Sequence, residues 1–350
     1  MRKASQRPTR RGSGGPTIHD VAREASVSAM TVSRVVNGER NVREATRAKV
    51  METIAALGYS PNAAARNLAG AKGARIGLLY SNPSAAYLSE FLLGGLDQCS
   101  RAGLQLIVEK AEEGAPEPAI DHLIGIGVDG VLLPPPLCDA KAVVDRLKAA
   151  GIPVVAVAAG QPMESVLAIR IDDFEAARDM TRHLIGLGHR RIGFVSGHPN
   201  QTASARRREG YLAALADAGV KSEPGLIVQG YFTYHSGLEA AEQLLSLPQR
   251  PSAVFASNDD MAAAAVAAAH RRGLDVPRDL TVAGFDDTAL ATTIWPPLTT
   301  IRQPVAEMAR EAVILLAEAI RRREAGEAEA PEQALIPHAL VTRQSEGPPA

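Results

Sequence analysis

Val27-Ser28-Ala29-Met30-Thr31-Val32-Ser33-Arg34-Val35-Val36-Asn37 reads as a turn, a cap and a short amphipathic helix. Ser28 suits an N-cap, because its side-chain oxygen can take up a free backbone N–H of the first turn. Val32, Val35 and Val36 then share one face at helical spacing, and Asn37-Gly38 is a C-cap pair. Upstream, Thr17 with Asp20 three residues on is a capping-box-like start, with Val21, Ala22 and Ala25 as an apolar stripe behind it. Downstream, a third helix is expected over 43–57, stopping at Gly58 and turning Val50, Ile54 and Leu57 inward. The outward face of the middle helix carries Ala29, Met30, Ser33, Arg34 and Asn37. Hydroxyls, an amide and an arginine suit phosphates and base edges, and a helix-turn-helix lays its second helix in the major groove. The helix pattern alone leaves a small bundle with a solvated polar face equally open.

The text of the segment is more specific than its pattern. Thr17-Ile18-His19-Asp20-Val21-Ala22, Val27-Ser28, Thr31 to Gly38, and Gly58-Tyr59-Ser60-Pro61-Asn62-Ala63-Ala64-Ala65-Arg66-Asn67-Leu68-Ala69 closely resemble the DNA-binding head of the LacI/GalR family of bacterial repressors. The resemblance implies DNA contacts from Thr17, Ser28, Ala29, Met30, Thr31, Ser33, Arg34 and Asn37. It also implies a hinge helix over 62–69 that orders on operator DNA, with Asn62 and Ala65 at the DNA and Leu68 prying a base step apart from the minor groove. Such a segment is too short to hold a helix alone in water. Leu68 read without the resemblance is a linker leucine that packs on the body.

Charge divides in the same place. The 350 residues carry a net charge of −1. Residues 1–72 hold 13 Lys/Arg and 5 Asp/Glu, and the remainder holds 25 and 34. A basic head on an acidic body fits a head that meets phosphates. Residues 1–16 are basic and rich in Ser, Gly and Pro, and are expected to be disordered. They contain no apolar run of a secretion signal, and no segment approaches membrane-spanning length. Cys99 and Cys138 read as buried thiols of a reducing compartment. The expected setting is the cytoplasm, with no membrane partner.

From Ala74 the period changes. Strands are expected at 75–80, 104–108, 130–133, 153–158, 167–171, 191–195, 226–228, 253–256, 280–285 and 299–303. Helices are expected at 88–102, 141–150, 174–187, 203–218, 236–247, 261–272 and 305–324. Such alternation means α/β architecture, with parallel sheets covered by helices on both faces. Arg75-Ile76-Gly77-Leu78-Leu79-Tyr80 is echoed by Arg191-Ile192-Gly193-Phe194-Val195-Ser196, so two similar lobes are expected, with a ligand between them beyond the strand C-termini. The body resembles the periplasmic-binding-protein-like effector domain of the same family, a two-lobed pair of doubly wound parallel sheets. That resemblance implies three chain crossings, near 172–173, 300–303 and 331–336. The resulting organisation is a tail (1–16), a helix-turn-helix head (17–60), a hinge and linker (61–73) and an effector-binding and dimerisation body (74–345). The first lobe takes 74–172 and 302–330, and the second takes 173–300 and 331–345.

A site for a sugar-like molecule needs carboxylates and amides for paired hydroxyls, an arginine fork and an aromatic or apolar wall. Arg206-Arg207-Arg208-Glu209-Gly210-Tyr211 resembles the family's R-x-x-G-aromatic motif, which selects Arg207 as the inward arginine. Ser257-Asn258-Asp259-Asp260-Met261-Ala262 resembles N-D-x-M-A, with Asn258 facing the ligand and Asp259 capping the helix. Gly284-Phe285-Asp286-Asp287 resembles G-[FY]-D-D/N and assigns the effector contact to Asp286, whose plain alternative is an N-terminal cap. Phe232 stands where the family often stacks an aromatic on a sugar ring. Ser81, Asn82 and Tyr87 follow the first body strand and are candidates to complete the pocket. Trp295 is a candidate for the cleft or the lobe junction. One departure is Val155-Ala156-Val157-Ala158-Ala159-Gly160, wholly apolar where relatives often carry an acid or amide, which predicts a wider or less polar wall.

Other signals carry less. Gly125-Ile126-Gly127-Val128-Asp129-Gly130 fits G-x-G-x-x-G but precedes a strand, the reverse of a dinucleotide fingerprint. His183 and His189 lack zinc-ligand spacing, and no nucleophile–base motif stands out. The expectation is a homodimeric transcriptional regulator without enzymatic activity, cofactor or metal. Its partners would be palindromic operator DNA and a sugar-type inducer that relieves repression. The alternative is a corepressor of nucleobase type.

Overall fold

The computed structural model describes residues 18–36, 43–57, 73–327 and 331–350. The chain divides into two compact units between Gly73 and Ala74.

In the first unit, α1 (Ile18–Glu24), α2 (Ala29–Val36) and α3 (Glu44–Leu57) surround a core of Val21, Ala22, Ala25, Val32, Val35 and Val50. Ile54 and Leu57 pack against it, so the inward face expected of the third helix is present. Between α1 and α2 the chain turns at Ser26, whose φ of 55° is left-handed. Ser28 then opens α2 by accepting the Thr31 N–H on its Oγ at 3.1 Å.

The second unit begins with β1 (Arg75–Tyr80), α4 (Ala85–Ala102), β2 (Gln105–Lys110), α5 (Glu117–Gly125), β3 (Gly130–Leu133), α6 (Lys141–Ala149), β4 (Val154–Val157) and β5 (Leu167–Arg170). It continues with α7 (Asp173–Gly186), β6 (Ile192–Ser196), α8 (Thr202–Asp217), β7 (Ile227–Gln229), α9 (Tyr234–Leu245), β8 (Ala253–Ala256), α10 (Asp259–Arg271), β9 (Thr281–Asp286) and α11 (Leu290–Thr293). It closes with β10 (Thr299–Arg302), α12 (Val305–Glu324), β11 (Gln333–Leu335) and β12 (Ala339–Val341). Two six-stranded sheets result, ordered β11-β5-β4-β3-β1-β2 and β12-β10-β9-β8-β6-β7. All pairs are parallel except β10 with β12. β3, β4, β6, β8 and β9 are buried along their whole length, as strands covered on both faces must be. The sequence echo has a spatial counterpart, since β1 lies between β3 and β2 and β6 lies between β8 and β7.

Two differences from the sequence reading have simple causes. Residues 331–345 were expected in the second lobe, yet β11 pairs in parallel with β5 of the first sheet. The third crossing therefore falls at 336–338, after β11 and before β12. These three-residue strands show no apolar alternation that could have marked them. Several helices also begin earlier than expected, because their caps lie in the preceding loops. Ser84 caps α4 and Thr233 caps α9, each accepting an N–H of the first turn. Helix packing is close where glycine permits it. A Cβ on Gly94 of α4 would collide with the Ala306 carbonyl of α12, and one on Gly210 of α8 with the Phe174 carbonyl of α7. Among the described residues no helix is long and apolar enough to cross a membrane.

Candidate functional site

On the head, α2 offers Met30, 65 % exposed, and Arg34, also exposed. Ala29, expected outward, is half-buried against the head core, while Ser28 and Thr31 share the cap through a 2.9 Å hydroxyl contact. Ser33 lies on α2, but its side chain is outside the described residues, as are Thr17, Asn37, Asn62, Ala65 and Leu68.

In the body, the strand ends of the two sheets converge on a small inner chamber. It is lined by Asn82, Tyr87, Arg207, Phe232, Asn258 and Asp286 from the expected set, and also by Ser84, Pro135, Ala158, Gln201, Ala203 and Gln303. Arg207 is its electrostatic centre. Its Nε donates to Asp173 Oδ1 at 2.8 Å and its Nη1 to the Ser257 carbonyl at 2.5 Å. Nη1 also lies 3.7 Å from Asp286 Oδ1, and the guanidinium stacks 3.6 Å from the Phe285 ring centre. A planar fork is the group that can serve these partners at once. Arg206 instead pairs with Glu209 and stacks on Phe174, and Arg208 is exposed.

Asp286 ends β9 and is no helix cap. It is 5 % exposed and accepts from Gln303 Nε2 at 2.6 Å. Burial pushes its carboxyl up to about 7, against the opposing pull of Arg207. Burial raises Asp173 as well, again with Arg207 opposing. Asn258 lines the chamber but also takes the capping role expected of Asp259, and Asp259 takes neither. Asn258 is extended, with φ −153° and ψ 171°, and its Oδ1 caps α10 by accepting the Met261 N–H at 3.0 Å. Asp259, already helical, turns away and accepts from Thr288 and from Thr300 Oγ1 at 2.7 Å. Burial, and then the nearby Asp286, raise its pKa well above the carboxylate range. Asn82 is likewise engaged within the protein, accepting the Ser84 N–H of its own loop at 2.8 Å and donating to the Pro135 carbonyl of the loop after β3 at 3.2 Å.

Two polar atoms at this chamber have no partner. Tyr87 Oη and Gln303 Oε1 are buried without a hydrogen bond. Leaving such a group unsatisfied costs about 1–3 kcal/mol, so each calls for a partner from a ligand or water. Backbone strain gathers here too. Of the five described non-glycine residues with positive φ, Ala158, Phe232 and Asp286 line the chamber. Such conformations persist where the surrounding structure enforces them, and they cluster at functional sites.

The lobes are drawn together over the chamber. Ser84 Oγ donates to Asp260 Oδ2 at 2.5 Å. Asp139 accepts the Thr202 N–H at 2.8 Å and the Thr202 hydroxyl at 2.7 Å, so a first-lobe carboxylate caps the helix that carries Arg207. Gly160 approaches so closely that a Cβ would collide with the Ala203 nitrogen. The wall at Ala158 is apolar, as its sequence predicted, but Gly160 makes the approach narrow there and not wide.

Ser81 is placed elsewhere, in an outer chamber with Pro83, Glu113, Pro136, His198, Asn200, Gln201, Tyr231 and Thr233. Gln201 lines both chambers. Trp295 lines neither and is 75 % exposed. Ser84, Gln201, Gln303 and Asp173 were not among the effector residues expected from the sequence, where 173 and 303 fell only within expected chain crossings. Cys99 and Cys138 are buried free thiols, and no group of three or more His, Cys, Asp or Glu among the described residues is placed to hold a metal.

Residues 17–62 match the model of bacterial regulatory proteins of the lacI family, and residues 181–346 match that of periplasmic binding protein-like domains. Catabolite control protein A of Priestia megaterium is 36% identical over 334 residues, covering 94% of this chain and 98% of the relative. The chain belongs to the LacI family. The transcriptional regulator CelR of Thermobifida fusca is 35% identical, over 94% of this chain and 98% of its own length. A solved complex of a regulator CelR with cellobiose superposes with a TM-score of 0.72 at 34% identity, covering 94% of this chain and 99% of that one. The lac repressor dimer bound to operator and the anti-inducer ONPF superposes with a TM-score of 0.74 at 28% identity, covering 95% and 99%. As a member of the LacI family, this chain is a DNA-binding transcriptional regulator and not an enzyme, with a helix-turn-helix head and a two-lobed α/β body.

Proposed function

We propose that the chain is a cytoplasmic, homodimeric repressor of carbohydrate-utilisation genes that leaves a palindromic operator when a sugar or sugar derivative enters the cleft between its lobes. The observation that carries the effector reading is the inner chamber. One arginine, one carboxylate held near neutrality, and two unpartnered polar atoms face a space closed by both lobes. Vicinal hydroxyls are donors and acceptors at once, so one polyol can receive from Arg207, donate to Asp286 and Gln303 Oε1, and pair with Tyr87 Oη. Phe232 supplies an apolar face beside them. The CelR–cellobiose complex supports a sugar, and the lac repressor complex supports a dimer on an operator.

The mechanism is a linkage. Effector and operator each bind one lobe arrangement better than another, so each alters the affinity of the other by the same factor. Ser84–Asp260 and Asp139–Thr202 bond across the cleft, so parting the lobes would break them. Arg34 and Met30 face outward to read the operator, and Leu68 would wedge its central step.

The test is selection of bound fragments from the parent genome, repeated with sugars, sugar phosphates and nucleobases. A recovered palindrome lost with one sugar supports induction. Recovery strengthened by a nucleobase establishes corepression instead, and no palindrome under any ligand refutes the proposal.

A further inference from the structure

The first lobe carries another recess, at the end of its sheet opposite the inner chamber. Ile152 and Pro153 lead into β4 and Leu167 opens β5, so this recess lies where those strands begin. Ala158 of the chamber follows the last residue of β4. Along that strand the two sites stand roughly 16 Å apart, at about 3.3 Å per residue. Every residue that lines the recess belongs to the first lobe, so its shape does not depend on how far the cleft is closed.

The free volume is about 170 Å³. A dry cavity of about 150 Å³ walled by aliphatic side chains is known to admit benzene. Here the floor is Ile152, Pro153, Leu167, Leu315 and Ala319, all buried. The rim is cationic. Lys148 stands at the end of α6, Arg322 and Arg323 stand at the end of α12, and Glu327 is the one carboxylate among the lining residues.

Cations suit a helix C-terminus, and two of the three are engaged with backbone carbonyls. Lys148 Nζ donates to the Ser165 carbonyl at 2.7 Å, and Arg323 Nη1 donates to the Gly151 carbonyl at 3.0 Å. Arg322 differs. It is half-buried, and among the described residues its guanidinium has no hydrogen bond or ion pair. A fork of donors left open at the mouth of an apolar recess matches a carboxylate in geometry and in charge. A concave apolar wall with few polar groups at its edge is also the usual make-up of a small-molecule site.

We infer that this recess binds an organic monoanion, a carboxylate on an apolar body about the size of a benzene ring. The body lies against Leu167, Leu315 and Ala319, and the carboxylate meets Arg322. The site is separate from the sugar cleft and stands whether or not the effector is a sugar.

The test is calorimetric titration of the full-length protein with benzoate, with benzyl alcohol, which lacks the charge, and with acetate, which lacks the ring. Benzoate is expected to saturate one site per chain and to bind at least tenfold tighter than either of the others. Arg322→Ala, a change at the rim, is expected to weaken benzoate at least fivefold, and Arg322→Lys to recover part of that loss. Ala319→Leu, which fills the recess from a helix that accepts leucine, is expected to abolish binding. Acetate that binds as tightly as benzoate, or benzoate that does not saturate, overturns the inference. So does benzoate affinity unmoved by Arg322→Ala. Benzoate binding lost in Arg207→Lys but kept in Arg322→Ala would place the anion in the chamber and overturn it as well.

Discussion

Arg207 shows how one residue sets the character of the site. Its side chain is 5 % exposed and stands between Asp173 and Asp286. Arg207→Ala leaves buried carboxylates uncompensated, so a loss of about 3–5 kcal/mol is expected in denaturant unfolding of the body. Arg207→Lys is expected to recover only part of it, because a point charge cannot replace the fork. Asp286 gives a pH signature. Its native carboxyl is raised, so the contribution it makes to stability is complete at and below the ordinary carboxylate range and is lost as pH rises through about 7. A ligand hydroxyl that donates to Asp286 favours the ionised form. Effector affinity should therefore rise as pH rises through about 7, and binding there should release a proton. Calorimetry in two buffers of different ionisation enthalpy measures the release; equal heats contradict it. On the head, Arg34→Ala should cost about 1–3 kcal/mol of discrimination if Arg34 forks onto a guanine. An equal loss on operator and random DNA would make it a phosphate contact. At this scale motifs picked out Arg207 and Asp286, and family position picked out Phe232, and all three line the chamber. The sequence was not legible at Gln201 or Gln303, which no local pattern marks and which only the fold brings to the chamber. Nor could adjacent Asn258 and Asp259 be told apart, because a single backbone turn decides which of them caps the helix.

Among the elements, α8 carries the most consequence. It holds Arg207 in the second lobe, while its N-terminus is capped by Asp139 of the first. Burial raises the Asp139 carboxyl, and the bonds from Thr202 hold it down against that trend. Asp139→Ala should uncap the helix and loosen the closed cleft together. Hydrogen bonds to a charged group contribute roughly 1.5–3 kcal/mol, so hydrogen exchange at the Thr202 amide should quicken by about tenfold or more, with β6 and β8 unaffected. Exchange left unchanged would show that the bond across the lobes does not hold the cleft. The long helices and the buried strands were visible in the sequence, since their apolar periods extend over many residues. β11 and β12 were not, because three residues in edge positions need no pattern, and with them went the true position of the third crossing.

For the whole molecule, the contacts divide the chain into two units between Gly73 and Ala74. The repeated strand motif occupies equivalent places in two sheets of like order. A regulator built this way is defined less by either site than by the free energy that couples them. The most direct measurement is operator affinity by fluorescence anisotropy with and without the sugar that binds the body, paired with sugar affinity measured with and without operator. The account predicts that the sugar weakens operator binding by on the order of tenfold or more, and that operator weakens sugar binding by the same factor. Operator affinity unchanged at saturating sugar would contradict it.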